Sequence, residues 1–194
     1  PVDDFNKAGP GDDLTAVIGI ITDIFPVLTH KVVSTLVKSS YTLYEGDLGT
    51  SGEIFRNNNI RGKLLSTAIG IPLDRVLEVN DLLIEMNESR PLSGIFSYRY
   101  VKKSSATLAF TKFDPTCILE LDCAESGTTR NFYNAVWNEL EARNIPHTFH
   151  WGKIHNLDKA KTRKMYGEAM DKWIAQRNKI MSPETMRIFN SQSL

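Results

Sequence analysis

Between Gly62 and Trp151 the apolar residues switch back and forth between the two-residue period of a strand and the 3.6-residue period of a helix. The order of those switches restricts the chain to few folds. Lys63–Ile71 predicts a strand that Pro72 closes. Leu73–Glu88 predicts a helix with Leu73, Val76, Leu77, Leu83 and Ile84 on its apolar side. Gly94–Lys102 (GIFSYRYVK) and Thr116–Ala124 (TCILELDCA) read as strands, with Ala106–Phe110 an expected short extra one. Thr128 is the expected cap of a helix running to about Asn144, whose buried stripe is Phe132, Tyr133, Val136, Trp137 and Leu140. Pro146 then admits a last strand, His147–Trp151.

Strand–helix–strand–strand–helix–strand is the split βαβ arrangement. It predicts an α+β fold, a ferredoxin-like βαββαβ antiparallel sheet with flanking helices on one face and a helical C-terminal extension. The opposite face must then be covered or carry a site. Upstream, residues 1–13 read as a polar lead-in. Asp12 or Asp13 caps an expected helix to about Phe25, with Leu14, Val17, Ile18 and Ile21 inward. Pro26 ends it, and a weaker helix follows over Leu28–Ser40. Residues 45–62 read as a long loop. Asp158–Met181 predicts one further helix, and Ser182-Pro183 opens a short final turn. Three parts result: 1–60 as linker and helices, 61–155 as the ferredoxin-like subdomain, and 156–194 as C-terminal helices.

Charge sorts among function classes. Lys and Arg number 23 and so do Asp and Glu. A zero balance argues against nucleic acid as partner, including for the aromatic-basic strand FSYRYVKK. The zero hides a polarity: residues 74–88 carry five acids and one base, whereas residues 150–181 carry eight bases and three acids. No apolar run approaches a membrane span. His147 and His150, three apart in a strand, point to opposite faces, so no metal site is expected. Cys117 and Cys123, six apart in one strand, lie about 20 Å from each other and read as buried thiols rather than a disulfide. A soluble chain in a reducing compartment, the cytoplasm favoured, is the expectation that follows.

Two places point to chemistry. On Gly94–Lys102, Ser97 and Arg99 share a face with Ile95 and Val101, so an Arg stands where a strand usually buries apolar groups and needs an anionic partner. Glu120 and Asp122 alternate with Leu119 and Leu121 on the next strand, and either one suits. In HTFHWGKIH, Trp151 and Lys153 stand where a strand gives way to a glycine turn, an aromatic wall beside a cation.

The block SYRYVKK, CILELD and HWGK, with Tyr166, Trp173, Arg177, Ser182-Pro183 and Phe189-Asn190 behind it, resembles the C-terminal half of flavin-dependent sugar-lactone and alditol oxidases. These belong to the vanillyl-alcohol-oxidase-like flavoproteins. The likeness covers about residues 60–190 and is most specific at His150-Trp151-Gly152-Lys153. It implies the substrate (cap) domain of an FAD enzyme that oxidises a CH–OH group by hydride transfer to flavin. The substrate would be a small-molecule alcohol: a sugar lactone, polyol, sterol or other. The resemblance implies Arg99, Glu120 and Lys153 as catalytic groups, Ser97, Arg99 and Asp122 toward substrate, and His150, Trp151, Lys153 and Asn190 toward FAD.

One position departs from the family pattern. Ser97 stands where the family has the Glu of its Glu-x-Arg strand, and a Ser cannot act as the same acid or base. Either Glu120 takes part of that role, or the substrate class differs, or catalysis is weakened or lost. The family also binds FAD through an N-terminal domain, and Pro1 without a Met suggests a portion of a longer oxidase. An N-terminal FAD-binding domain or chain is therefore the expected partner. The rival expectation is a non-catalytic ferredoxin-like ligand-binding or interaction module.

Overall fold

A computed structural model describes residues 10–40, 49–50, 63–189 and 193. Helices α1 (Pro10–Ile24) and α2 (Pro26–Ser40) lead. Strand β1 (Leu64–Pro72), a 3-10 turn (Leu73–Arg75) and helix α3 (Val76–Ser89) come next. They are followed by β2 (Gly94–Val101), β3 (Thr116–Ala124), helix α4 (Gly127–Ala142) and β4 (Thr148–Phe149). Helices α5 (Lys159–Tyr166), α6 (Glu168–Ile180) and α7 (Pro183–Phe189) close the chain. The four strands form one sheet in the order β2-β3-β1-β4. That is the order a βαββαβ chain adopts, with its first and third strands central. The expected α+β class is borne out. Among the described residues no helix is long and apolar enough to cross a membrane.

Two compact units divide the chain. The first comprises Pro1–Leu65, Met86–Gly94 and Cys123–Phe132. In it α1 packs on α2, Pro26 starting α2 where a missing N–H does no harm. The expected cap of α4 changes hands. The Asp23 carboxylate accepts from the amides of Gly127 (2.9 Å) and Thr128 (2.8 Å), and Ser126 Oγ accepts from that of Thr129 (2.9 Å). Burial pushes the Asp23 carboxyl up, but those bonds outweigh it and hold the group below its usual range. The expected inward stripe of α1 is only partly realised, since Leu14 and Val17 are exposed.

The second unit comprises Ser66–Glu85, Ile95–Asp122 and Tyr133–Leu194. Its core is laid down by alternation. Ile69, Ile71, Leu119, Leu121 and Phe149 are buried on one side of the sheet with Tyr133, Val136, Trp137 and Leu140 of α4. Tyr133 donates its hydroxyl to the Leu121 carbonyl at 2.7 Å, and the Trp137 ring meets Phe149 edge-on at 5.7 Å. β4 runs antiparallel to β1, with Ile69 opposite Phe149 and Gly70 opposite Thr148.

Four local expectations are corrected. In the helix after Pro72, Val76 and Leu83 of the expected stripe are buried and Val79 and Leu82 join them, while Leu73, Leu77 and Ile84 are exposed. The expected and the buried sets both have helical spacing, and spacing alone does not say which one meets the core. Ala106–Phe110 is a turn rather than a strand. Its carbonyls are satisfied from the side, Leu108 by the indole N–H of Trp151 (2.8 Å) and Phe110 by Thr148 Oγ1 (2.5 Å). The last strand keeps only Thr148–Phe149 of His147–Trp151. The expected 158–181 helix is two helices, broken at Gly167, whose φ of 55° only glycine adopts readily. The 45–62 loop lies largely outside the described residues.

Candidate functional site

On the face of the sheet opposite Leu119 and Leu121, alternation gathers a polar cluster among Ala68, Ile95, Val101 and Ile118. β1 contributes Ser66, β2 contributes Ser97 and Arg99, and β3 contributes Glu120 and Asp122. Lys153 reaches the same place from the turn after β4. The amides of His150 and Ile154 donate to the β1 carbonyls of Ala68 (2.9 Å) and Ser66 (3.0 Å), which pins that turn against the sheet. All of these residues lie within the second unit.

Glu120 is the centre of the cluster, its side chain only 10% exposed. Its Oε1 accepts from the Lys153 ammonium at 2.7 Å. Its Oε2 accepts from the Arg99 guanidinium and, at 3.4 Å, from the Ser97 hydroxyl. Asp122 Oδ1 stands 3.7 Å from Lys153 Nζ and accepts from the Ser66 hydroxyl. Burial pushes the Glu120 carboxyl up. The bond and charge of Lys153, then Arg99 and Ser97, outweigh it and hold the carboxyl below its ordinary range. At neutral pH it is an ionised acceptor holding two cations, a weak base and no proton donor.

The expected Arg99 partner is thus Glu120, although Arg99 is less buried than anticipated, its side chain 62% exposed. β2 is an edge strand of the sheet, so one side of Arg99 faces solvent. Lys153 is more enclosed, at 24%. One of its three N–H groups is used on Glu120, which leaves donors for a ligand.

His150 is exposed, and its ring lies edge-on to Phe110 at 5.1 Å. Its Nδ1 accepts from the Gly152 amide at 3.1 Å. The neutral ring therefore carries its proton on Nε2 and offers a donor. Trp151 is held on both sides. Its N–H goes to Leu108, and its ring stacks on Tyr166 with centroids 5.9 Å apart. Asn190 lies outside the described residues.

Sequence reasoning missed Ser66, which anchors Asp122. The signal was present, since Ser66, Ala68 and Gly70 are the small residues alternating with Leu65, Ile69 and Ile71. Among the described residues no three His, Cys, Asp or Glu side chains group as a metal ion requires.

Taken together, the sheet carries a charge-balanced cluster of two carboxylates and two cations with spare N–H donors. Such a site can bind and orient a polar ligand that gains negative charge. A protein-family model described as D-arabinono-1,4-lactone oxidase matches residues 11–190. No curated protein matches the chain.

Proposed function

From the membership of this chain in the D-arabinono-1,4-lactone oxidase family, a family of FAD-linked oxidases, we propose that it is the substrate-binding (cap) part of an FAD-dependent oxidoreductase. The reaction is oxidation of a CH–OH group in a sugar lactone, polyol, sterol or other alcohol. An N-terminal FAD-binding domain or chain is its partner. The observation that carries the reading is the Glu120 carboxylate held between Arg99 and Lys153 on the face of the sheet opposite Leu119 and Leu121.

The residues present suit a flavin. Lys153 keeps N–H donors beyond the one given to Glu120, and His150 offers Nε2–H nearby in sequence, at the other end of the HWGK segment. FAD, when bound, supplies the hydride acceptor, and its reduced form carries negative charge along the N1/C2 carbonyl edge. Lys153 would provide positive charge toward the bound flavin, and His150 an N–H donor. Trp151, fixed by Leu108 and Tyr166, shapes the wall behind them. Arg99 orients the substrate hydroxyl. Glu120 holds both cations in place, and Asp122 and Ser97 complete the polar floor.

Lys153→Met in the protein paired with its FAD-binding portion tests the assignment. Removing a charged donor of this kind slows flavin reduction by about 100-fold, read as bleaching of flavin absorbance under anaerobic turnover. An unchanged reduction rate overturns the role of Lys153. A full-length protein that never binds flavin overturns the oxidoreductase reading and leaves a ligand-binding module.

A further inference from the structure

A second concavity lies in the same unit, on the other side of the sheet from Glu120. It is a pocket of about 260 Å³ where the end of α4, the approach to β4 and helix α5 meet. This approaches the lower end of small-molecule sites, roughly 300–1,000 Å³. Phe113, Leu140, Ile145, Pro146 and Met165 give it an apolar lining. Lys112, Lys161 and Lys164 supply three cations against one carboxylate, Glu141. Lys161 is paired with Glu141 at 2.8 Å, and Lys112 donates to the Met165 carbonyl. Lys164 is exposed.

His147 lines this pocket and is only 9% exposed. Its Nδ1 lies 2.8 Å from the Ile145 carbonyl. A carbonyl can only accept, so Nδ1 carries the proton and Nε2 presents a lone pair. That Nε2 is buried and has no hydrogen-bond partner. Burial also pushes the imidazole pKa down, against the smaller upward pulls of the Ile145 carbonyl and Glu141, so the ring stays neutral. A buried acceptor without a donor is unfavourable, and native proteins leave few of them.

We propose that this pocket binds a small hydroxylated carboxylate. Its apolar ring or chain packs against Phe113, Leu140 and Met165, and its hydroxyl donates to His147 Nε2. Its carboxylate is drawn by Lys164 and Lys112 at the mouth. Each feature meets one part of the ligand: apolar lining, orphaned acceptor, excess of cations. The assignment does not depend on the oxidase reading, because it shares no residue with the Glu120 cluster.

Titration of the 194-residue chain with 3-hydroxybenzoate, 4-hydroxybenzoate and benzoate tests it. At least one hydroxybenzoate binds about fivefold more tightly than benzoate, the worth of one hydrogen bond. The nitrogen resonance of His147 Nε2 shifts on its binding. Lys164→Glu, at an exposed position, weakens all three acids, and His147→Phe brings the hydroxybenzoates down to benzoate. Equal affinity for benzoate and both hydroxybenzoates in the unaltered chain overturns the proposal. So does a Lys164→Glu chain that binds the acids as well as the original.

Discussion

The Lys153 ammonium rests 2.7 Å from the Glu120 carboxylate, joining a turn that follows the last strand to the middle of the third. Both side chains are largely shielded, so removing one partner costs more than it would in a surface ion pair. The two ends also depend on each other: Glu120 without its cations would be a buried, uncompensated charge.

Glu120→Gln keeps the shape and removes the charge. Arg99 turns to water, while Lys153 is left beside Asp122 alone. The expected loss is about 1–3 kcal/mol, seen as a lower urea midpoint with an unchanged slope. An unchanged midpoint would show that the cluster contributes nothing to stability.

Acid weakens the same cluster. The folded-state pKa of Glu120 lies below its ordinary 4.5. The contribution of its ionised form is therefore complete above that value and is lost as pH falls through the depressed folded one. The gap in urea midpoint between the original chain and Glu120→Gln narrows from about pH 7 to about pH 3. A gap that widens on acidification contradicts the sign of the shift.

Ser97→Glu restores the acid of the Glu-x-Arg pattern but sets it against Glu120, because Ser97 Oγ lies 3.4 Å from Glu120 Oε2. Two carboxylates at that distance resist joint ionisation. Unfolding midpoints should fall at neutral pH by the equivalent of about 1–2 kcal/mol and recover in part on acidification, as one carboxyl takes up a proton. Full stability at neutral pH would mean that Arg99 and Lys153 accommodate both acids.

Gly70→Ala strikes the β1–β4 pairing. A Cβ there would sit 2.6 Å from the Phe110 carbonyl and 2.7 Å from Thr148 Oγ1. Backbone must move, at about 1–3 kcal/mol. The shift passes along the turn, and amide exchange at His150 and Ile154 should quicken. Protected amides there would mean that the Phe110 loop yields instead.

The site was legible in proportion to how local its signals are. Alternation along TCILELDCA places Glu120 and Asp122 on one face, and the same rule places Ser97 and Arg99 together. The meeting of Glu120 with Arg99 was within reach, because β2 and β3 follow each other and pair. That Lys153 closes on the same carboxylate was not. It requires β4 to pair with β1, two bonds from residues 150 and 154 to bracket the turn, and β1 to lie beside β3.

The amino-acid sequence by itself determined the strand and helix order, the α+β class and the two-sidedness of each strand, because periods of 2 and 3.6 are written residue by residue. Tertiary structure alone decided which stripe of the helix after Pro72 is buried, that residues 106–110 bend instead of pairing, and that His147 ends with an unmatched nitrogen. These outcomes depend on which distant segments arrive to cover a face or satisfy a polar atom. Burial and hydrogen bonding are completed by such partners, and local periodicity carries no record of who they are.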